Sequence, residues 1–316
     1  MERIAVIFCF IIFVSCKSQV DNNNIKNEVS INQLKEYVEF LTSDELEGRK
    51  TGTKGIESAA KYIENVFSKN NIKPYFKTYR DTFNAKKRVA YNIVGYIEGN
   101  DAKLKNEFVV IGAHYDHIGK GKIVDNDSIA NGANDNAAGT SAVLALSEYF
   151  SKERNIKRSI IIALFSAEEM GLLGSKHLSY KLKENNLDLY TMLNFEMIGV
   201  PFLDREYQAF VTGYDMSNMA QVMNNHIGSN YIGRSEVAIK YNLFRQSDNF
   251  AFYNVFNVPC QTISSCDLSN YDYYHHVDDE ADKLDYEHMT SLIKTMIPAI
   301  EHICNSPLKE IKLYNE

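Results

Sequence analysis

Apolar positions Leu34, Tyr37, Val38 and Leu41 recur at helical spacing, as do Ala59, Tyr62, Ile63 and Phe67, so the stretch from Ile31 to Asn71 reads as helical. Between those groups, Glu47-Gly48-Arg49-Lys50-Thr51-Gly52-Thr53 is a loop punctuated by glycine. The pattern then changes. Tyr91 to Ile97 and Phe108 to Ala113 are short apolar runs of strand length, and Phe108-Val109-Val110-Ile111 predicts a strand buried on both faces. Further predicted strands are Ser159 to Phe165, Thr191 to Ile198 and Val255 to Ile263, separated by helical patterns over Asn136–Phe150 and about Glu169–Lys183. Tyr286 to Ile303 closes the pattern as a helix. Strands alternating with helices predict an α/β fold in three layers, a mixed but mostly parallel central sheet with helices on both faces. No repeat and no linker interrupts residues 31–316, so these predict a single domain.

The chain has 316 residues, 45% of them hydrophobic, enough for a sizeable core, and its net charge of -7 without a basic patch disfavours nucleic acid as a partner. Met1-Glu2-Arg3 precedes an unbroken apolar stretch from Ile4 to Val14. That stretch is short of the roughly 20 residues a spanning helix needs and suits the apolar region of an export signal. Ser15-Cys16 then resembles a bacterial lipobox, with Phe13 in place of the usual leucine, so residues 1–16 are read as a signal ending in a lipidated Cys16. The expected location is periplasmic or outer-membrane, anchored by lipid, with residues 17–30 as a solvated tether. Of five cysteines, Cys260, Cys266 and Cys304 remain after the signal, and Cys260 and Cys266 are near enough in sequence to pair. No finger-type spacing points to a structural zinc site.

The chemistry lies where the predicted strands end. His114 directly follows the Phe108–Ala113 run, and Asp116 is placed to accept a hydrogen bond from its other ring nitrogen as an outer partner. Gly132-Ala133-Asn134-Asp135-Asn136-Ala137-Ala138-Gly139 sets Asp135 among residues with almost no side-chain bulk, where one carboxylate has room to bridge two cations. Glu168-Glu169 follows the Ser159–Phe165 strand. Taken alone, paired acids at a helix start are ordinary dipole-favoured residues. In company with His114 and Asp135, one suits a metal and the other a general base. Glu196 interrupts an apolar run, where an unpaired carboxylate would cost several kcal/mol, so it requires a cation. His275 and His276 supply a further imidazole, and residue chemistry alone does not choose between them.

Together these motifs resemble the two-zinc aminopeptidase family, which includes secreted bacterial leucyl-type aminopeptidases and is related to glutamate carboxypeptidase and glutaminyl cyclase. The resemblance runs from about Leu34 to Met289. It also takes in Leu46-Glu47-Gly48-Arg49 with Thr51-Gly52, and Arg245-Gln246-Ser247-Asp248-Asn249-Phe250 with Val258-Pro259. It implies a zinc-exopeptidase fold and an exopeptidase that hydrolyses N-terminal residues of peptides through a water shared by two zinc ions. By the same resemblance, His114, Asp135 and Glu196 hold one ion, and Asp135, Glu169 and His275 the other. Glu168 is then the general base, Tyr274 a donor to the oxyanion, and the Asp135–Asn136 peptide is cis. Aspartate is usual in the family where this chain has Glu196, a longer ligand of the same charge. Weighed beside this are a glutaminyl cyclase-like acyltransferase, a carboxypeptidase of the same fold, and an inactive membrane-anchored binding module. The long span from His114 to Asp135 implies a loop beside the site.

Overall fold

The computed structural model describes residues 29–314 apart from residue 154. The expected export signal, Cys16 and most of the expected tether lie outside the described residues. Val29, expected in the tether, is buried, and Ser30 caps the first helix by accepting from the Gln33 N–H at 3.2 Å. Helices α1 (Ile31–Leu41) and α2 (Lys54–Lys69) bury the predicted stripes, with the glycine-punctuated loop between them. Strands β1 (Lys73–Pro74), β2 (Arg80–Ala85) and β3 (Arg88–Ile97) follow, then the first central strand, β4 (Glu107–His114). A two-stranded hairpin, β5 (Gly119–Val124) and β6 (Asp127–Ala130), fills the span from His114 to Asp135. The chain continues through α3 (Gly139–Lys152), β7 (Ser159–Phe165), α4 (Leu173–Glu184) and β8 (Asp188–Phe195). The last third holds β9 (Ala209–Val211), α5 (Met219–Ile227), β10 (Ile232–Gly233), α6 (Glu236–Lys240), α7 (Asn249–Phe256), β11 (Cys260–Ser264) and α8 (Tyr286–Asn305).

The main sheet runs β1-β3-β7-β4-β8-β11-β9-β10, with β2 also pairing to β3. Its centre, β7-β4-β8-β11, is parallel, as expected, whereas β1, β2 and β3 are antiparallel to their neighbours and β9 is antiparallel to β11. The expectation of a mostly parallel sheet therefore holds at the centre. In this sheet only β2 and β3 are joined by a hairpin-length turn, and the antiparallel pairs β3–β7 and β9–β11 are joined through long intervening chain.

The central strands are apolar throughout, yet period two still sorts their side chains. Val109, Ile111, Ala113, Ile160, Ile162 and Leu164 face the core beneath α1, α2, α3 and α8. Val110, Ile161, Ala163 and Phe165 face the second core, with Leu178 and Leu182 of α4 and Phe252 and Phe256 of α7. That gives the three layers.

Two boundaries differ from expectation. The predicted Val255–Ile263 strand divides into the end of α7 and a shorter β11, because Asn257 takes a left-handed φ of 54° and Pro259 has no N–H to continue a helix. The helix expected from about Glu169 starts at Leu173, which leaves both glutamates in a turn.

Candidate metal centre

Four parallel strands end at the same edge, and the candidate residues gather there, as open α/β sheets arrange their sites. His114 is the last residue of β4, Glu196 follows β8 by one residue, and Glu168-Glu169 follow β7. Left-handed backbone re-aims the chain beside each carboxylate: Ala167 has φ 58° before Glu168, and Met197 has φ 50° after Glu196. His275 itself has φ 55°. Non-glycine residues held there carry strain, of the kind that collects at functional sites.

Asp135 stands at the middle. His114 Nε2 lies 3.3 Å from Asp135 Oδ1, and His275 Nε2 lies 3.3 Å from Oδ2 and 3.1 Å from Glu169 Oε2. The donor atoms of His114, Asp135 and Glu196 fall within 4.8 Å of one another, and so do those of His117, Asp135 and Glu169. His276, the other member of the histidine pair, points elsewhere and accepts from the Asp278 N–H at 3.1 Å. The Asp135–Asn136 peptide is cis.

The surrounding turns hold these groups in place. Asp279, whose role the sequence did not suggest, clamps the Asp135 turn by accepting from Asn134 N–H at 2.7 Å and Asp135 N–H at 3.0 Å. Asn136 joins this turn to the Glu196 loop, donating to Phe195 O at 3.0 Å and accepting from Met197 N–H at 3.1 Å. Ser247 donates to Glu196 Oε2, which orients that ligand-type carboxylate. Gly132 has φ 61°, and a Cβ there would sit 2.3 Å from Asp135 O and 2.5 Å from His117 Cγ, so only glycine fits.

Asp116 is placed differently from expectation. The partner of His114 Nδ1 is the backbone carbonyl of Asp116, at 3.1 Å, while its carboxylate is 4.0 Å away. The carboxylate instead accepts from Glu168 N–H at 3.0 Å and from Thr51 Oγ1 at 3.0 Å, and so positions Glu168. His117, three residues after His114, was not singled out in the sequence, yet it is fully buried with Nδ1 2.9 Å from Glu169 Oε1. Its spacing from His114 in His114-Tyr115-Asp116-His117 was the available signal. Tyr274 stacks on the His275 ring, with centroids 4.0 Å apart, and stays partly exposed.

Arg49 underlies this edge. It is fully buried, and its guanidinium donates to the carbonyls of Leu41, Tyr115, Asn131 and Gly132. It thus ties the His114 loop to the Asp135 turn. Burial pulls its pKa down to about 10 against the opposing charges of Asp279, Asp135 and Asp116, so it stays protonated at neutral pH. Arg49→Met would strand four carbonyls, and the expected loss is about 3–5 kcal/mol, read as a lower urea midpoint at unchanged slope.

Charge at the site divides by location. Burial, with Glu196, Asp248 and Glu169 nearby, holds the Glu168 carboxyl well above its usual range, although His114 opposes. Burial likewise pushes Glu196 up to about 7, helped by Asp135 and Asp248. Asp135 behaves oppositely: burial would raise it, but His114, His275 and His117 outweigh that and hold it well below. Burial would lower the His114 imidazole, yet Glu168, Asp135 and Glu196 carry it well above its ordinary value.

This is an acid-rich cluster around buried imidazoles. The Nε2 atoms of His114, His117 and His275 have no hydrogen-bond partner, and neither carboxylate oxygen of the buried Asp248 has one. Buried carboxylates and imidazoles of this number require a cation, and mixed N/O donors suit zinc. The residues fit that metal. A separate grouping of His226, His302 and Glu310 lies toward the far end of α8, partly exposed. The described cysteines Cys260, Cys266 and Cys304 are all buried free thiols, so the considered Cys260–Cys266 pairing is not formed.

A probable zinc metalloprotease of Leptosphaeria maculans is 33% identical over 114 residues, 36% of this chain and 26% of that protein. The chain thus spans about a quarter of that relative's length. Among solved structures, the Legionella pneumophila LapA aminopeptidase superposes with a TM-score of 0.67 at 21% identity, covering 88% of this chain and 73% of that one. Porphyromonas gingivalis glutaminyl cyclase superposes with a TM-score of 0.66 at 14% identity, covering 86% and 98%. Both share the fold. Residues 92–300 match the model of peptidase family M28, and with the donor set of a zinc metallopeptidase at its sheet edge, this chain belongs to that family.

Proposed function

We propose that the protein is a two-zinc aminopeptidase that removes apolar residues from the N-termini of peptides. The observation that carries this reading is the pocket that shares Glu196 and Tyr274 with the metal centre. About 510 Å³ including its mouth, it is lined on its apolar side by Met197, Phe210, Leu243 and Leu268. Among the described residues no lysine or arginine lines it, so it offers no cationic partner to a C-terminal carboxylate, whereas Glu196 in its wall favours a free ammonium group. That favours an aminopeptidase over a carboxypeptidase. Asp135 belongs to both donor groupings, which supports two ions over the single ion of a cyclase.

His114, Asp135 and Glu196 would hold one zinc, and Asp135, Glu169 and His275 the other. Zinc bound there supplies a Lewis acid for the scissile carbonyl and lowers the pKa of the attacking water. Glu168 takes the proton from that water and passes it to the leaving amine, a role for which its raised proton affinity suits it. The Tyr274 phenol, kept protonated by burial and the nearby Asp135 and Glu169, donates to the oxyanion. The apolar wall takes the side chain. Export and a lipid anchor at Cys16 would place this activity outside the cytoplasm.

The test is a panel of aminoacyl-p-nitroanilides and N-blocked peptides, with metal analysis and chelation. Leucyl, methionyl and phenylalanyl substrates should exceed glutamyl and lysyl ones in kcat/KM by about ten-fold or more, the discrimination an apolar pocket supplies. Turnover of N-blocked peptides from their C-termini would overturn the aminopeptidase reading.

A further inference from the structure

We propose that His117 is a fourth protein ligand of the ion at Asp135, Glu169 and His275, making that site closed and tighter than its neighbour. The inference rests on the two-metal reading above. Side chains of four residues converge here: His117 Nδ1 lies 2.9 Å from Glu169 Oε1 and 3.7 Å from Asp135 Oδ2. His275 Nε2 lies 3.1 Å from Glu169 Oε2 and 3.3 Å from Asp135 Oδ2. Ligands at zinc bond lengths of about 2.0–2.1 Å stand about 3.3–3.4 Å apart in a tetrahedron, and these distances scatter around that edge. The rings of His117 and His275 meet edge to face, 5.7 Å between centroids at 67°, as two ligands on adjacent corners would.

His117 has little freedom to do otherwise. Its side chain is fully buried, its ring is pressed against the φ-positive Gly132, and its backbone N–H donates to Arg49 O at 3.3 Å. Its Nδ1 faces the two carboxylates, the position from which its lone pair would reach a cation held between them. Among the described residues, the grouping at the neighbouring site is His114, Asp135 and Glu196, with no second imidazole. The two sites are therefore unequal. Four protein ligands characterise structural zinc, whereas three leave a position open for water or substrate. The ion beside His117 is the permanent, charge-supplying member of the pair, and the ion beside Glu196, whose carboxylate also lines the substrate pocket, is the exchangeable one.

The experiment titrates the metal-free full chain with zinc against a competing chelator. The surface cluster is disabled by His302→Ala so that it contributes no third ion. The parent should bind in two steps, and His117→Ala should weaken the tighter step by more than about 100-fold, beyond the 10–100-fold that an outer partner of a ligand supplies. One equivalent of cobalt added to the parent should give the intense visible absorption of four-coordinate cobalt, and this should weaken in the variant. Equal circular dichroism and melting of the metal-free proteins guards against misfolding, with His117→Asn as the second variant if alanine does not fold. A weakening below ten-fold, or an unchanged cobalt spectrum, overturns the ligand role while leaving the two-metal reading intact. No zinc uptake by the parent overturns both.

Discussion

Replacing Glu168 by glutamine lowers kcat by about 10³- to 10⁴-fold, while KM and zinc content stay within about two-fold of the parent. Glutamine keeps the shape of the side chain and removes only its ability to take a proton. The turn that presents it is fixed independently of the carboxylate, by the Glu168 N–H to Asp116 Oδ1 bond of 3.0 Å and the left-handed Ala167. The fold and the ligand geometry therefore survive the change. The proton affinity is what is lost. Burial, reinforced by Glu196 and Asp248, raises this carboxyl well above an ordinary glutamate, which strengthens it as a proton acceptor. Single-turnover kinetics on a leucyl substrate would separate the chemical step from release. Retention of more than a tenth of kcat would exclude Glu168 as the base and turn attention to the buried Asp248.

Much of this architecture is legible in the chain because burial leaves a strong mark. Strands β4, β7 and β8 are apolar almost throughout, since helices cover both faces, and their ends announce His114, Glu168-Glu169 and Glu196. Other features leave weak marks. Strands β9 and β10 have three and two residues, too few for a period to register. The Val255–Ile263 run is apolar across a helix end, a turn and a strand, so hydrophobicity alone merges them. His117 escaped notice for a different reason: it follows the strand end in an irregular segment, where no periodicity tells which way a side chain points. Asp116 stands beside it, and only the fold reveals that its carboxylate turns to Glu168 while its carbonyl serves His114. Asp279 stands four residues after His275, but its partners are the N–H groups of the distant Asp135 turn, and Asp248 likewise meets Glu168 from a remote segment, so local reading gave them no role.

Asp135→Ala has the broadest consequence, because Asp135 alone belongs to both donor groupings. Removing it takes one ligand from each, and it also leaves His114, His117 and His275 without the carboxylate that lies 3.3 Å, 3.7 Å and 3.3 Å from them. In the parent those imidazoles hold the Asp135 carboxyl well below its usual range, so its charge is present at any pH at which the enzyme works. The expected result is zinc content falling from about two equivalents to well under one, with kcat/KM down by at least about 10⁴-fold. The polarising charge and an effective base step are lost together. Glu196→Ala should be milder in metal content, since it strips a ligand from one grouping only and leaves Asp135, Glu169, His117 and His275 together. Mass-spectrometric metal analysis of the two variants after identical dialysis makes the comparison. If both variants lose the same amount of zinc, the sharing of Asp135 between two sites is wrong, and a single-ion centre replaces it.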